Sequence, residues 1–303
     1  MTVPSIIQTG LYEQEPRHID AGAVKTTWKT DDHIIQVPRV GESHRIALNS
    51  HLYDVFSDTA VPVPDVVASS GTPPAYSVYE YISEPDLGTV LKQVNKETEM
   101  DLIREAGAVL GAIHEPEMEN YGFPGQDDPT KGTYQRWDRF MDEHIQHALE
   151  RIAPVIDKET RSYISSQVDA SNLPEHPPSR VNHDDFHPGN ILGDEDGITA
   201  VLDFDNAIYG DPRYDHQRAK GMIGGLTDPG DTYDTDRIEA FDRGYRKTAS
   251  EDIDERLEAI YDLAARTKWT DAMMYHYKEG NIERSVIETH GQSLDNYVSN
   301  HRE

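Results

Sequence analysis

The chain contains no cysteine among its 303 residues. This absence excludes disulfide bonds and thiol chemistry, and it fits a protein of the reducing intracellular environment. No stretch approaches the roughly 18 consecutive apolar residues of a membrane-spanning helix. The first residues, Met-Thr-Val-Pro-Ser-Ile-Ile-Gln-Thr-Gly, also lack the basic and apolar regions of a secretion signal. We therefore expect a cytoplasmic protein without a membrane partner.

Basic residues are scarce, since 28 lysines and arginines stand against 56 aspartates and glutamates, for a formal net charge of −28. The acidic residues are spread along the chain instead of being gathered in a tail. Such a surface disfavours binding to nucleic acid and to anionic membranes. The pattern predicts a halophilic source, because in molar KCl the Debye length is about 3 Å and self-repulsion is screened. Attraction of a polycationic substrate is the alternative explanation.

The most informative segment is 181–215. It reads Val-Asn-His-Asp-Asp-Phe-His-Pro-Gly-Asn-Ile-Leu, then Val-Leu-Asp-Phe-Asp, then Gly-Asp-Pro-Arg-Tyr-Asp. Asp185 offers a carboxylate that can accept a proton from a hydroxyl group. The Asn190 amide oxygen and the Asp203 carboxylate suit Mg²⁺, which binds oxygen ligands together with nucleotide phosphates. These groups, in this order, predict a phosphotransferase.

The local pattern brings the two predicted metal ligands together. Two apolar runs, 191–192 and 198–202, flank the turn-forming residues 193–197, which predicts a β-hairpin. The open ends of a hairpin lie side by side, so Asn190 and Asp203 should be neighbours. Asp205 could contact a second metal ion or simply follow the strand.

The segment resembles the aminoglycoside phosphotransferase/choline kinase family in its His-x-Asp-x4-Asn box, its following Asp and its Gly-Asp-Pro-x-x-Asp. The resemblance implies an α+β, protein-kinase-like fold with a small β-rich N-terminal lobe and a larger, mostly helical C-terminal lobe. It implies that Asp185 is the catalytic base, and we assign His183 to the same catalytic site as a residue that braces the loop. It also implies that Asn190 and Asp203 bind Mg²⁺ and that Asp215 is a buried carboxylate that supports the loop.

One position of this box differs from the family pattern. Residue 184 is usually Gly in the family and is Asp here. Asp tolerates unusual turn conformations better than most residues. The local backbone geometry at residue 184 is therefore the part of the box to compare with the structure.

We assign residues 1–82 to a nucleotide-binding lobe and residues 83–303 to a catalytic and substrate-binding lobe. ATP or GTP with Mg²⁺ is the implied cofactor. The resemblance places Gly22 in the Gly-rich loop and Gln36 where the family has a phosphate-binding Lys or Arg. It places Asn49 where the family has the Glu that pairs with this cation.

Other basic residues could take the place of the missing cation. Lys25, Arg39 and Lys29 could reach the phosphates, although a surface charge explains each of them as well. The strand at 75–82 leads into the hinge that binds adenine in the family. The implied hinge residues are Tyr79 to Ile82, with Glu80, Tyr81 and Ile82 as the candidates for nucleotide binding, and core packing is the alternative.

The C-terminal lobe has amphipathic patterns that predict helices at 100–114, 134–152 and 157–168, with further helices after Asp215. His114 ends the first of them and is interpreted as structural. Only a handful of residues separate Asp203 from Gly210, which leaves no room for the activation segment of a protein kinase. The acceptor is therefore expected to be a small hydroxylated compound instead of a peptide. No pattern indicates an oligomeric state.

Two other functions remain open from the sequence. His183 and His187 could bind zinc with Asp185 in a metal-dependent hydrolase, but Pro188 and Gly189 follow directly and disfavour the helix that would align the two histidines. Gln36 and Asn49 could mark a degenerate nucleotide-binding pseudokinase that acts as a regulatory or interaction module. The complete catalytic set favours an active small-molecule kinase that transfers the γ-phosphoryl group of a nucleoside triphosphate.

Overall fold

The computed structural model describes residues 16–21, 25–72, 74–225, 234–249 and 254–302. The described residues group into two compact units. The first unit contains the chain up to Leu102 together with Gln126–Pro129 and Pro188–Asn206. The second contains Ile103–Gly125, Thr130–His187 and the chain from Ala207. None of the described helices is both long and apolar enough to cross a membrane.

The first unit is built on an antiparallel sheet with the strand order β1-β2-β3-β5-β4. Its strands are β1 (Arg17–Ala21), β2 (Lys25–Lys29), β3 (His33–Pro38), β4 (Val66–Ser70) and β5 (Tyr76–Glu80). Side chains alternate between the two faces of a strand, so the buried Trp28, Ile35 and Val78 meet on one face as a small apolar core. Helix α1 (Ser43–Phe56) follows β3 and buries Ile46, Leu52 and Phe56.

The first unit also contains the predicted hairpin. Strands β9 (Ile191–Asp194) and β10 (Gly197–Val201) pair antiparallel, with Ile191 opposite Val201. The short helix α2 (Leu87–Val90) contacts β9, and the Asp86 side chain caps its N-terminus. A single 3-10 turn, Phe204–Asn206, follows the hairpin. The prediction that the hairpin ends meet is confirmed, because Leu202 N–H donates to the Asn190 carbonyl oxygen at 2.8 Å.

The second unit is mostly helical and includes a small sheet of order β7-β6-β11-β8. Its strands are β6 (Tyr121–Pro124), β7 (Gly132–Tyr134), β8 (Arg180–Asn182) and β11 (Ile208–Gly210). Helix α3 (Lys96–Ile113) enters this unit at Ile103, and the other helices are α4 (Trp137–Ile152), α5 (Lys158–Gln167), α6 (Pro212–Ile223), α7 (Thr235–Tyr245), α8 (Glu255–Lys278) and α9 (Arg284–His301). Trp137, Phe140, Tyr214 and Tyr261 are buried among the apolar residues of these helices.

The Gly-Asp-Pro segment fixes the start of α6. A Cβ atom at Gly210 would lie 2.0 Å from the Trp137 ring, so only glycine fits this close approach. The Asp211 carboxylate accepts the Arg213 N–H at 3.0 Å and caps the helix, while Pro212 occupies its first turn. The Tyr261 hydroxyl donates to the same carboxylate at 2.7 Å. These contacts set the position of α6 and therefore of Asp215.

Candidate active site

The predicted catalytic loop begins at the end of β8 and is held by a buried carboxylate on α6. Asp215 is fully buried and accepts the backbone N–H of His183 at 2.7 Å and that of Asp184 at 2.9 Å. The predicted support of this loop by Asp215 is confirmed by these two hydrogen bonds. Because two successive backbone groups are bound by one side chain on a helix, the loop has a defined position.

A second set of contacts holds Asp215 itself. His114 Nε2 donates to its carboxylate at 3.1 Å, and His114 Nδ1 contacts the Tyr245 hydroxyl at 2.8 Å. Burial alone would raise the pKa of Asp215, but the hydrogen bonds from His114 and from the His183 backbone hold it below the ordinary value of 3.8. The structural interpretation of His114 is confirmed, since its ring lies between a carboxylate and a hydroxyl in the interior.

Asp184 occupies the one unusual backbone position of this loop. Its φ is 58°, in the left-handed region that favours glycine. Its carboxylate contacts the Arg218 guanidinium at 2.9 Å, and both side chains are nearly buried. Aspartate therefore keeps the backbone path and adds an ion pair between the loop and α6.

We expect Asp184→Ala to be less stable than Asp184→Gly by about 1 kcal/mol, because only alanine must adopt the left-handed backbone at a cost. Both variants should be less stable than the wild type by about 1–3 kcal/mol, because each leaves Arg218 buried without its carboxylate. Urea unfolding measures the three free energies. Asp58 is exposed and has no positive φ, so at this control position alanine should not be the worse substitution. Equal stability of the two Asp184 variants would contradict the backbone argument.

Asp185 lies next along the loop with its backbone held and its carboxylate partly accessible. Its N–H donates to Nδ1 of the buried His183 at 3.3 Å, and His183 packs edge-on against Phe186. The Asp185 side chain is 29% exposed, and its Oδ1 lies 4.0 Å from His187 Nε2. His183 thus orients the residue, and the carboxylate is partly exposed to solvent.

The other predicted acidic group lies in the first unit, at the end of the hairpin. Asp203 has a φ of 66°, and its N–H donates to the Tyr53 hydroxyl at 3.3 Å. The next N–H, that of Phe204, donates to Asn49 Oδ1 at 2.9 Å. Helix α1 therefore holds the backbone on which the Asp203 carboxylate is mounted.

Asn49 is part of a neutral hydrogen-bond network in the interior of the first unit. Its Nδ2 donates to the Tyr79 hydroxyl at 3.1 Å, and that hydroxyl also contacts Ser50 Oγ at 3.1 Å. Ser50 Oγ in turn contacts Ser77 Oγ at 2.7 Å. Asn49 thus joins β5 to the Phe204 backbone, and Tyr79 serves core packing.

Lys25 forms an ion-pair cluster with the two carboxylates that follow the hairpin. Its Nζ lies 3.0 Å from Asp203 Oδ1 and 2.7 Å from Asp205 Oδ2. The Lys25 side chain is 12% exposed and that of Asp205 is 5% exposed, so Lys25 is not a surface charge. Burial alone would lower the pKa of Lys25, but attraction to Asp205 and Asp203 raises it above its ordinary value. Sequence reasoning offered Lys25 only as one of three basic residues.

The remaining predicted residues are placed as follows. Gly22 lies outside the described residues. Gln36 lies on β3 opposite Thr27, and its Oε1 is buried without a hydrogen-bond donor. Lys29 Nζ lies 3.3 Å from the centre of the Tyr81 ring, and Arg39 is exposed.

The N–H groups of Glu80 and Tyr81 donate to the carbonyl oxygens of Asp65 and Asp32, and Ile82 follows them beyond the end of β5. Their roles in binding a cofactor stay predictions.

Solved structures share this fold along nearly the whole chain. A thermostable mutant of aminoglycoside phosphotransferase APH(4)-Ia, in a ternary complex with AMP-PNP and hygromycin B, matches with a TM-score of 0.68 and 17% identity, over 98% of this chain and 97% of the other. ADP-bound APH(2'')-Ib matches with a TM-score of 0.66 and 14% identity, over 96% and 95%. The two-lobe, kinase-like fold predicted from the sequence is therefore confirmed, and it is the fold of aminoglycoside phosphotransferases.

The amino-acid sequence shows the family of the chain, whereas the solved structures show only its fold. Residues 19–266 match the model of the phosphotransferase enzyme family, and the chain belongs to that family. Hygromycin-B 4-O-kinase from Escherichia coli is 27% identical over 176 residues, which cover 54% of this chain. The match spans about half of that relative, 49% of its length. The predicted membership in the phosphotransferase family is confirmed.

Proposed function

We propose that this protein transfers the γ-phosphoryl group of ATP or GTP to a hydroxyl group of a small molecule, with Asp185 as the base. The observation that carries the proposal is the contrast within the catalytic loop, where the backbone is bound by Asp215 and His183 while the Asp185 carboxylate is accessible. A base needs a fixed position and access to the proton that it removes. Family membership supports the same reaction class.

In the proposed reaction Asp185 orients the acceptor hydroxyl and takes its proton. The acceptor oxygen forms a bond to the γ-phosphorus as the bond from that phosphorus to the bridging oxygen breaks, and the nucleoside diphosphate leaves. Most of the acceleration in such reactions comes from positioning and charge neutralisation. His183 contributes through the Asp185 backbone and not by contact with the reacting atoms.

The residues at the two open ends of the hairpin would suit a magnesium ion. The Leu202 N–H donates to the Asn190 carbonyl oxygen, so the backbones at Asn190 and Asp203 run side by side and could present an amide and a carboxylate oxygen together. Asp205 Oδ1 is buried without a hydrogen-bond donor. Oxygen atoms of this kind are the ligands that Mg²⁺ takes. When bound, the ion would neutralise negative charge on the nucleotide phosphates.

A small acceptor is supported by the chain between Asp203 and α6. The 3-10 turn Phe204–Asn206 leads directly into β11 (Ile208–Gly210), so no segment there could bind an extended peptide. Relatives point the same way, since the similar curated protein is named for phosphorylating hygromycin B. We infer that the acceptor is a hydroxylated small molecule, with aminoglycosides as the first class to test.

The test is phosphate transfer from Mg-ATP and Mg-GTP, in high KCl, to a panel of aminoglycosides, sugars and amino alcohols. Turnover that depends on one acceptor class, and that Asp185→Asn removes, is the expected result. Magnesium-dependent nucleotide binding without turnover on any acceptor would instead favour the pseudokinase. Hydrolytic activity that requires zinc, and that a chelator removes, would instead favour the metal-dependent hydrolase.

A further inference from the structure

The phosphate-binding position of β3 carries a neutral residue, but a cation lies close to it on the neighbouring strand. Gln36 pairs with Thr27 of β2, so their side chains share one face of the sheet. Lys25 lies two residues from Thr27 and therefore on that same face, opposite Pro38. The cation therefore lies on the neighbouring strand, two residue pairs along the sheet from the position where the family pattern predicts it.

Lys25 faces two acidic side chains, and burial together with the neighbouring Asp203 raises the pKa of Asp205 to about 7. One ammonium group contacts two carboxylates, those of Asp203 and Asp205, and Asp205 Oδ1 has no donor. The nearby Arg45 does not compensate, since its guanidinium pairs with Glu42 and donates to Asn206 Oδ1 at 2.8 Å. A partly buried cluster with an excess carboxylate is costly unless another cation approaches it.

We propose that Lys25 of β2, and not a residue of β3, neutralises the nucleotide phosphates, and that Asp203 and Asp205 hold its ammonium group in position. This proposal rests on the proposed kinase function and concerns the same site. Gln36 cannot supply the charge, Lys29 lies over the Tyr81 ring, and Arg39 is exposed on the surface. Lys25 is thus the basic side chain of the β2–β3 segment that contacts the predicted metal-binding carboxylate.

The test compares two ligands that differ in phosphate, Mg-AMP-PNP and adenosine, by titration calorimetry in high KCl. We expect Lys25→Met to bind Mg-AMP-PNP about 10- to 100-fold more weakly, because a charge-assisted hydrogen bond is lost, and to bind adenosine as the wild type does. Lys25→Arg should recover part of the loss. Lys92 is an exposed lysine of the same unit, so Lys92→Met should change neither affinity.

A purely structural role would change both affinities together or neither of them, and either outcome would overturn the proposal. Thermal unfolding shows whether Lys25→Met folds. If it does not fold, the nucleotide affinity of the double variant Lys25→Met/Asp205→Asn is compared with that of Asp205→Asn. The double variant removes the ammonium group without leaving the Asp205 carboxylate buried and unpaired. Failure of the wild type to bind Mg-AMP-PNP would refute the proposed kinase function itself, which separates the two failures.

Discussion

Asp185→Asn is expected to lower turnover by about 10²–10⁴-fold, the usual contribution of a positioned base. Asparagine has nearly the same size but cannot take the hydroxyl proton. The substituted residue keeps its backbone N–H, so its bond to His183 Nδ1 and the loop contacts to Asp215 should remain. Steady-state phosphate transfer with a saturating acceptor measures the effect.

Two further variants make this result specific. Glu195→Gln removes an exposed carboxylate at the hairpin tip and should leave turnover unchanged. Asp203→Asn should weaken Mg-nucleotide binding in addition to slowing turnover, whereas Asp185→Asn should bind nucleotide as the wild type does. Wild-type turnover in Asp185→Asn would remove Asp185 from the role of base.

The largest loss of stability is expected from Asp215→Ala. Its carboxylate accepts from the backbone of His183, from the backbone of Asp184 and from His114, all in the interior. Alanine would leave three buried donors without an acceptor, at roughly 1–3 kcal/mol for each unsatisfied group. We expect the free energy of unfolding to fall by at least about 3 kcal/mol, measured by urea denaturation.

The pH dependence of stability tests whether the charge of the Asp215 carboxylate is what stabilises the loop. Because the pKa of Asp215 is held below 3.8, its stabilising contribution is complete above that value and declines as the pH falls through the lowered pKa. The stability difference between the wild type and Asp215→Asn should therefore shrink as the solution is acidified below about pH 4. A difference that stayed constant down to pH 2 would show that the carboxylate charge is not what stabilises the loop.

The elements that sequence reasoning predicted well are those with a local pattern. The hairpin at β9 and β10 has turn residues between apolar runs, and α4 and α5 have amphipathic repeats, so these three were predicted within a few residues. Strands β8 and β11 have three residues each and were not predicted. Three residues are too few to show an alternating pattern, and these strands exist because they pair with each other.

In the candidate site, too, the features encoded locally could be predicted and the contacts between distant residues could not. The order of Asp185, Asn190 and Asp203 could be read from the sequence, although their roles in catalysis stay predictions. The contact of Lys25 with Asp203 joins residues 178 positions apart, and that of Asn49 with Phe204 joins residues 155 apart. No local pattern encodes such distances, so the sequence left Lys25 as one candidate among three. The halophilic source and the lobe boundary at residue 82 also stay predictions.

The hydrogen bonds around Asn49 have a consequence for how the first unit responds to its solvent. The family pattern predicts an ion pair at this place, and an ion pair depends on protonation and on dissolved ions. Here amide, hydroxyl and backbone groups join α1, β5 and the Phe204 backbone without any formal charge. Neutral buried groups do not titrate in the ordinary pH range and are not screened by salt. These hydrogen bonds between α1, β5 and the Phe204 backbone should therefore change little with pH or salt concentration, even though the chain carries a net charge of −28.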